Sequence, residues 1–292
     1  MLSLYAAVET LIGRSASWRL GRWLYLGSRR ELLNDPRVNG EYFLLHAWMA
    51  PRANRGADNR AVVLDIGANI GDWTVTFLEE SSRIGFSNFT LRAFEPAPAQ
   101  QLEFRERCRE AIARGDVVVD VRAVGETVGK AIFSVTGEAT GTSGLKPGGV
   151  VADDHAFETD VTTLDEVSRE LALSGLDFVK VDTEGNDFNV ILGAVALFDR
   201  EAITILQFEY NWRWLDFGHR LRDVFRFLKN RPYRLGRLTA DGVEFYDAWH
   251  PELDRYIETN YAIVHEASLA DIPSWTATFD ESNVVTRLKS RG

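Results

Sequence analysis

Cysteine is nearly absent from this chain. Cys108 is the one cysteine in 292 residues, which excludes an intramolecular disulfide and a cysteine-built zinc site and agrees with a reducing, cytoplasmic setting. Positive charge is short too: 33 Lys and Arg face 43 Asp and Glu, a formal net charge of −10. A broad nucleic-acid footprint needs a basic surface, so nucleic acid is excluded as a partner. Histidine is sparse, and no His or Cys cluster suggests a transition-metal site. No apolar run is long enough to span a membrane, and the opening "MLSLYAAVETLIGR" has no basic n-region and is interrupted by Glu9. It reads as neither a signal peptide nor a span. Internal repeats and low-complexity linkers are missing as well.

With 45% hydrophobic residues, the chain can bury a substantial core. Its middle alternates strand and helix. "AVVLDIG", "FTLRAFEP", "VVVDVRAV", "DFVKVDTEG" and "AITILQFEY" read as five strands. The fourth precedes a helix with Phe188, Ile191, Leu192 and Val195 at i, i+3, i+4, i+7. Such alternation predicts a parallel sheet covered by helices on both faces. A helix through Leu221, Val224, Phe225 and Leu228 follows, then the hairpin "YRLGRL", "ADG", "VEFY", and a last strand "NYAIVHE". Residues 1–55 read as a helical accessory segment, 56–270 as the main domain, and 271–292 as an unpatterned, frayed tail.

The accessory segment contains "RSASWRLGRWLYLGSRR", where Arg14, Arg19, Arg22, Arg29 and Arg30 alternate with Trp18, Trp23, Leu24, Tyr25 and Leu26. It can lie on an anionic membrane or a glycolipid, or it can pack on the main domain or on a second subunit of a homo-oligomer.

The stretch "VVLDIGANIGDWTV" runs from a strand through a glycine turn into a helix, a connection that cradles nucleotide-like ligands. The dinucleotide fingerprint G-x-G-x-x-G is broken, because Asn69 stands at its middle glycine between Gly67 and Gly71. Asp65, two residues before Gly67, opposes a diphosphate and attracts a cation. S-adenosylmethionine (SAM) carries an ammonium and a sulfonium and no phosphate, so the turn favours SAM over NAD. Ligands in such sheets bind at the carboxyl ends of the strands. Glu95, ending the second strand in "AFEP", suits the two ribose hydroxyls of an adenosine; the alternative is a cap for the helix after it.

"VVLDIGANIGDWT", "AFEPAP", "GTSGL", "VTTLDEV", "DFVKVDTEGNDFNVILGA" and "LQFEYN" occur in that order, and in this the chain resembles the FkbM family of SAM-dependent methyltransferases over about residues 38–265. The resemblance implies a class I methyltransferase (Rossmann-like) α/β fold, with a seven-stranded, mostly parallel sheet and an antiparallel last strand. It also implies O-methylation of a sugar, glycolipid or other secondary metabolite. Asp65, Gly67, Asn69 and Gly71 would then hold the methionine part of SAM, Glu95 the ribose, and Arg122, Ala123 and Val124 the adenine. Family members often have histidine where this chain has Asn186.

Methyl transfer to an alcohol needs an aligned hydroxyl and a base for its proton. Asp182, Glu184 and Glu209 at the strand ends are the candidate bases, with His219 a looser fourth. The same carboxylates offer a Mg²⁺ alternative to the metal-free reaction expected here. Asp182 and Glu184 have the bland alternative of helix capping. Asn211 and Trp212 read as acceptor contacts. The glycine-rich stretch "TGEATGTSGLKPGG", which includes Ser143, reads as a lid over the acceptor or as a flexible hairpin. Two other classes remain open: an NAD-dependent oxidoreductase, and a noncatalytic protein of the same fold.

Overall fold

The computed structural model describes residues 2–31, 35–55, 60–135, 143–146 and 156–288. Three helices come first: α1 (Leu2–Ile12), α2 (Arg14–Ser28) and α3 (Glu41–Arg55). The first half of the sheet is β1 (Ala61–Ile66), α4 (Asp72–Ile84), β2 (Phe89–Phe94), α5 (Pro98–Arg107), α6 (Arg109–Arg114) and β3 (Val117–Asp120). Four strands with a helix after them build a separate, smaller sheet region: β4 (Ala123–Val124), β5 (Gly129–Ser134), β6 (Gly144–Leu145), β7 (Ala156–Thr162) and α7 (Leu164–Glu170). Then come β8 (Leu176–Val181), α8 (Asp187–Leu192), α9 (Val195–Asp199), β9 (Ile203–Tyr210) and α10 (Leu221–Leu228). The chain ends with β10 (Tyr233–Thr239), β11 (Gly242–Tyr246), β12 (Thr259–His265), β13 (Ser274–Phe279) and β14 (Val285–Leu288).

The main sheet has the order β14-β13-β11-β10-β12-β9-β8-β1-β2-β3. From β9 to β3 every pairing is parallel, and β12 runs antiparallel to both β9 and β10. The stretch from β3 to β10 is the expected seven-stranded class I sheet with an antiparallel strand inserted beside its last parallel neighbour. Three strands extend it. β11 pairs with β10 as the hairpin, and the expected unpatterned tail supplies β13 and β14, with β13 parallel to β11.

Two buried clusters cover the sheet, one on each face. One joins Trp48 of α3 and Phe77 of α4 to Phe178 and Phe245; the other joins Phe188 and Phe198 to Leu206 and Phe208. Burial of each such side chain stabilises the fold by about 1.5–3 kcal/mol. α3 therefore packs into the core of the main domain rather than standing apart from it.

Two local expectations change. "VVVDVRAV" is not one strand: the ladder stops at Asp120, and Ala123–Val124 moves to the second sheet, order β4-β7-β5-β6. Asp120 causes the break by accepting from the Arg122 amide (3.2 Å) and from its guanidinium (2.8 Å), a local turn in place of pairing. The helix expected through Val195 is two short ones. Gly193 interrupts it where the chain passes Gly125 so closely that a Cβ would lie 2.2 Å from the Gly125 carbonyl oxygen. Asp165 then caps α9 by accepting from the amides of Ala196 and Leu197, both at 2.9 Å.

Candidate active site

The carboxyl ends of β1, β2, β4 and β8 surround a cavity of about 590 Å³, roofed by β5 and β6 of the small sheet. That volume falls within the usual ~300–1,000 Å³ of small-molecule sites. The floor is the glycine turn. Gly67 and Ala68 donate their amides to the Phe94 carbonyl, each at 3.0 Å, which ties the turn to the end of β2. Gly67 has φ +78°, and a Cβ there would sit 1.9 Å from the Asp182 carbonyl oxygen, so no side chain fits between the turn and the end of β8.

Glu95 faces the cavity and is 4% exposed. Its Oε2 accepts from the Asn69 amide and its Oε1 from the Ala97 amide, each at 2.8 Å. The carboxylate thus orders the glycine turn and the entry to α5 at once, while each oxygen keeps a free lone pair. Burial pushes its pKa up to about 7 against the pull of those two amides.

The loop after β8 supplies the opposite wall through Asp182, Thr183, Glu184 and Asn186. Glu184 adopts φ +56° and pairs with Arg213 at 2.8 Å. Burial and the neighbouring Asp182 carboxylate push its pKa up to about 7, opposed by Arg213. Asp187, missed in the sequence, holds the loop by accepting from the amides of Thr183 (3.4 Å) and Gly185 (3.2 Å). Asn186 donates to the Val124 carbonyl at 3.0 Å and so ties this loop to β4. Its amide is engaged structurally where the family often has histidine.

Lys180 was also missed. It is 6% exposed, contacts Asp182 at 3.0 Å and Glu41 at 3.8 Å, and faces Asp65 across the β1–β8 ladder. Burial opposes its charge, but these carboxylates outweigh it and hold the ammonium protonated.

Of the residues expected at the cofactor, Gly67, Asn69, Glu95 and Ala123 border the cavity, as do Arg122 and Val124. Asp65 does not. Strand alternation turns it to the α4 face, fully buried, where it accepts from Thr74 at 2.6 Å. Gly71 is also off the wall; it starts α4 with φ +90° against the Phe104 ring. Among the residues expected for chemistry, Asp182, Glu184 and Ser143 border the cavity, while Glu209, Asn211, Trp212 and His219 do not. Asn211 donates to Glu209 at 2.6 Å and accepts from the Arg213 amide at 2.9 Å, starting the 3₁₀ turn Trp212–Phe217. Trp212 points outward, 56% exposed, beneath the Arg213 guanidinium. His219 bonds Asn189 at 2.8 Å and packs edge-on against Phe188. Of the glycine-rich stretch only residues 143–146 are described; Gly137, Gly141, Gly148 and Gly149 lie outside the described residues.

Among the described residues, the wall carries Glu95, Glu103, Asp182 and Glu184 against the single cation Arg122. Two buried wall atoms, Gln100 Oε1 and Thr183 Oγ1, have no hydrogen-bond partner among the described residues, as expected of groups that wait for a ligand. An acidic wall with spare hydrogen-bonding atoms fits a cationic nucleoside such as SAM and disfavours a diphosphate. Among the described residues no group of three or more His, Cys, Asp or Glu is arranged to hold a metal ion.

The sheet order and a cavity at the glycine turn define a class I methyltransferase fold. The chain belongs to the FkbM methyltransferase family: residues 65–235 match its Methyltransferase FkbM domain. No curated protein is significantly similar to the chain. Among solved structures, methyltransferase FkbM from Methylobacillus flagellatus KT is 16% identical, with a TM-score of 0.45 over 74% of this chain and 47% of that one. The present chain thus spans about half that protein's length. A SAM-dependent methyltransferase from Agrobacterium tumefaciens is 10% identical, with a TM-score of 0.40 over 77% of this chain and 62% of that one. The METTL16 methyltransferase domain is 9% identical, with a TM-score of 0.42 over 78% of this chain and 68% of that one.

Proposed function

We propose that the chain is a SAM-dependent O-methyltransferase whose acceptor is a hydroxyl of a sugar, glycolipid or glycosylated secondary metabolite. The observation that carries this reading is that Glu95, the glycine turn and two candidate bases, Asp182 and Glu184, border one cavity. When bound, SAM would supply an electrophilic methyl group on sulfur for in-line displacement by oxygen. Gly67, Asn69 and the loop after β8 would hold its amino-acid end, Glu95 would accept from its ribose hydroxyls, and Gln100, Ala123 and Val124 would border its base.

The chain's own contribution to the chemistry is to orient the hydroxyl and take its proton. Glu184 is the base in this reading. It borders the cavity, and its pKa of about 7 suits proton transfer near neutral pH. Asp182, held by Lys180 at 3.0 Å, would face the cationic cofactor from the same wall. The β6 segment Gly144–Leu145 lies over Glu184 and excludes water from that side.

Methyl transfer from labelled SAM to a panel of glycan and glycolipid acceptors tests the reading, with and without EDTA. Transfer to oxygen that survives EDTA supports it. Transfer to nitrogen or carbon, loss with EDTA and rescue by Mg²⁺, or NAD binding without binding of S-adenosylhomocysteine would each overturn it.

A further inference from the structure

The first two helices carry a surface that the methyltransferase site does not use. On α1, Leu4 and Leu11 are 71% and 82% exposed; on α2, Trp18 and Trp23 are 61% and 59% exposed. At 100° per residue, α2 turns Trp18, Arg22, Arg19, Trp23 and Leu20 outward in that order around its circumference. Ser17, the one buried residue of α2, lies on the opposite side. Two arginines are thus framed by two tryptophans, and the neighbouring α1 also exposes Leu4 and Leu11.

Charge separates this face from the rest of the molecule. From Thr10 to Arg30 there are five arginines and no acid, in a chain of net charge −10. Arg29 and Arg30 are committed to Glu31 and Asp241. Arg14, Arg19 and Arg22 have no carboxylate partner among the described residues, and Arg22 only lies over the Trp18 ring at 5.5 Å. The base of α2 is nonetheless anchored: Tyr25 donates to Glu252 at 3.0 Å and accepts from Arg255 at 2.8 Å. The face is therefore held on the body, with its cations and apolar groups turned to solvent.

We infer that α1 and α2 form a docking surface for an anionic lipid bilayer, on which they lie flat. Unpaired arginines among exposed Trp and Leu match the headgroup and upper acyl layers, with aliphatic stems and indoles below the phosphates. No described helix is long and apolar enough to cross a membrane, so the contact is peripheral. A second copy is the less suitable occupant, because mating two identical faces about a two-fold axis brings both sets of unpaired arginines together. The acidic remainder of the chain is repelled by the same lipid, which orients the molecule with α1 and α2 towards the bilayer.

Flotation of the full chain with phosphatidylserine-containing and pure phosphatidylcholine vesicles tests this, alongside analytical ultracentrifugation without lipid. The protein is expected to float with the anionic vesicles only, with a blue shift of tryptophan emission. The triple variant Arg14→Gln, Arg19→Gln, Arg22→Gln should lower partitioning about 100-fold, from the usual contribution of each cation near such a surface. Trp18→Ala with Trp23→Ala should abolish the blue shift. All five positions are on α2 and none borders the cavity, so unchanged melting temperature and S-adenosylhomocysteine binding serve as the folding control. Absence of flotation, flotation unaffected by the triple variant, or a dimer that the tryptophan variant dissociates would overturn the inference.

Discussion

Gly67 and Asp182 meet without room for a methyl group: a Cβ on the glycine would lie 1.9 Å from the aspartate's carbonyl oxygen. The contact holds the turn after β1 against the end of β8, so the floor of the cavity and the wall with Asp182 and Glu184 are packed directly together.

Gly67→Ala is therefore expected to remove both stability and ligand binding. The left-handed backbone alone costs of order 1–3 kcal/mol, and the clash adds to it. Gly129→Ala, where nothing lies within 4 Å of the added carbon, is the control. Thermal melting and calorimetry with S-adenosylhomocysteine check the pair; equal melting temperatures would refute the account of the turn.

Glu95→Gln should weaken S-adenosylhomocysteine binding and leave the fold intact, since hydrogen bonds to a charged acceptor are worth about 1.5–3 kcal/mol each. The sign of the pH effect follows from a pKa of about 7 in the free protein. Ribose hydroxyls favour the ionised carboxylate, so binding lowers that pKa, releases protons near neutral pH, and weakens as pH falls below 7. Calorimetry in buffers of different ionisation enthalpy measures the release, which should vanish in the variant.

Glu184→Gln should lower kcat by roughly 10²- to 10⁴-fold, the usual contribution of a general base, while S-adenosylhomocysteine affinity persists. His219→Ala, away from the cavity, should retain kcat. Removing Arg213 takes away the cation that opposes the upward shift of Glu184. In Arg213→Met the acid limb of the rate profile, expected near pH 7, should move to higher pH. An unmoved limb would assign the titration to another group.

The unliganded protein should lose stability as pH rises from about 4 to about 8, between the ordinary and the folded pKa of Asp187. Burial, aided by Asp182, pushes Asp187 up to about 8 from an ordinary 3.8. A carboxyl raised on folding contributes stability that is complete below its unfolded pKa and is lost as pH rises through its folded pKa. Asp187→Asn should flatten this slope in melting curves taken across that range, although the loop loses an amide acceptor.

The glycine turn, Glu95 and the DTEG loop were legible because each is a short strand-end motif whose neighbours in sequence are its neighbours in space. Their convergence on one cavity followed from strand alternation and the rule that ligands bind at carboxyl ends. Which way a strand-end side chain turns was not legible. Asp65 faces Thr74 and Lys180 in the core rather than the cavity, and Glu209 is held by Asn211 beyond the wall. The polar row of Asp65, Lys180 and Gln207 exists only through the register of three strands far apart in the chain. β13 likewise had no local signal, since its partner β11 lies about thirty residues earlier. Period and turn chemistry act between residues close in sequence, so the sequence by itself determined the order of elements and the residue types at their ends. Register, the face each acid occupies, and the small sheet that roofs the cavity depend on pairings between distant segments, and those only the tertiary structure decided.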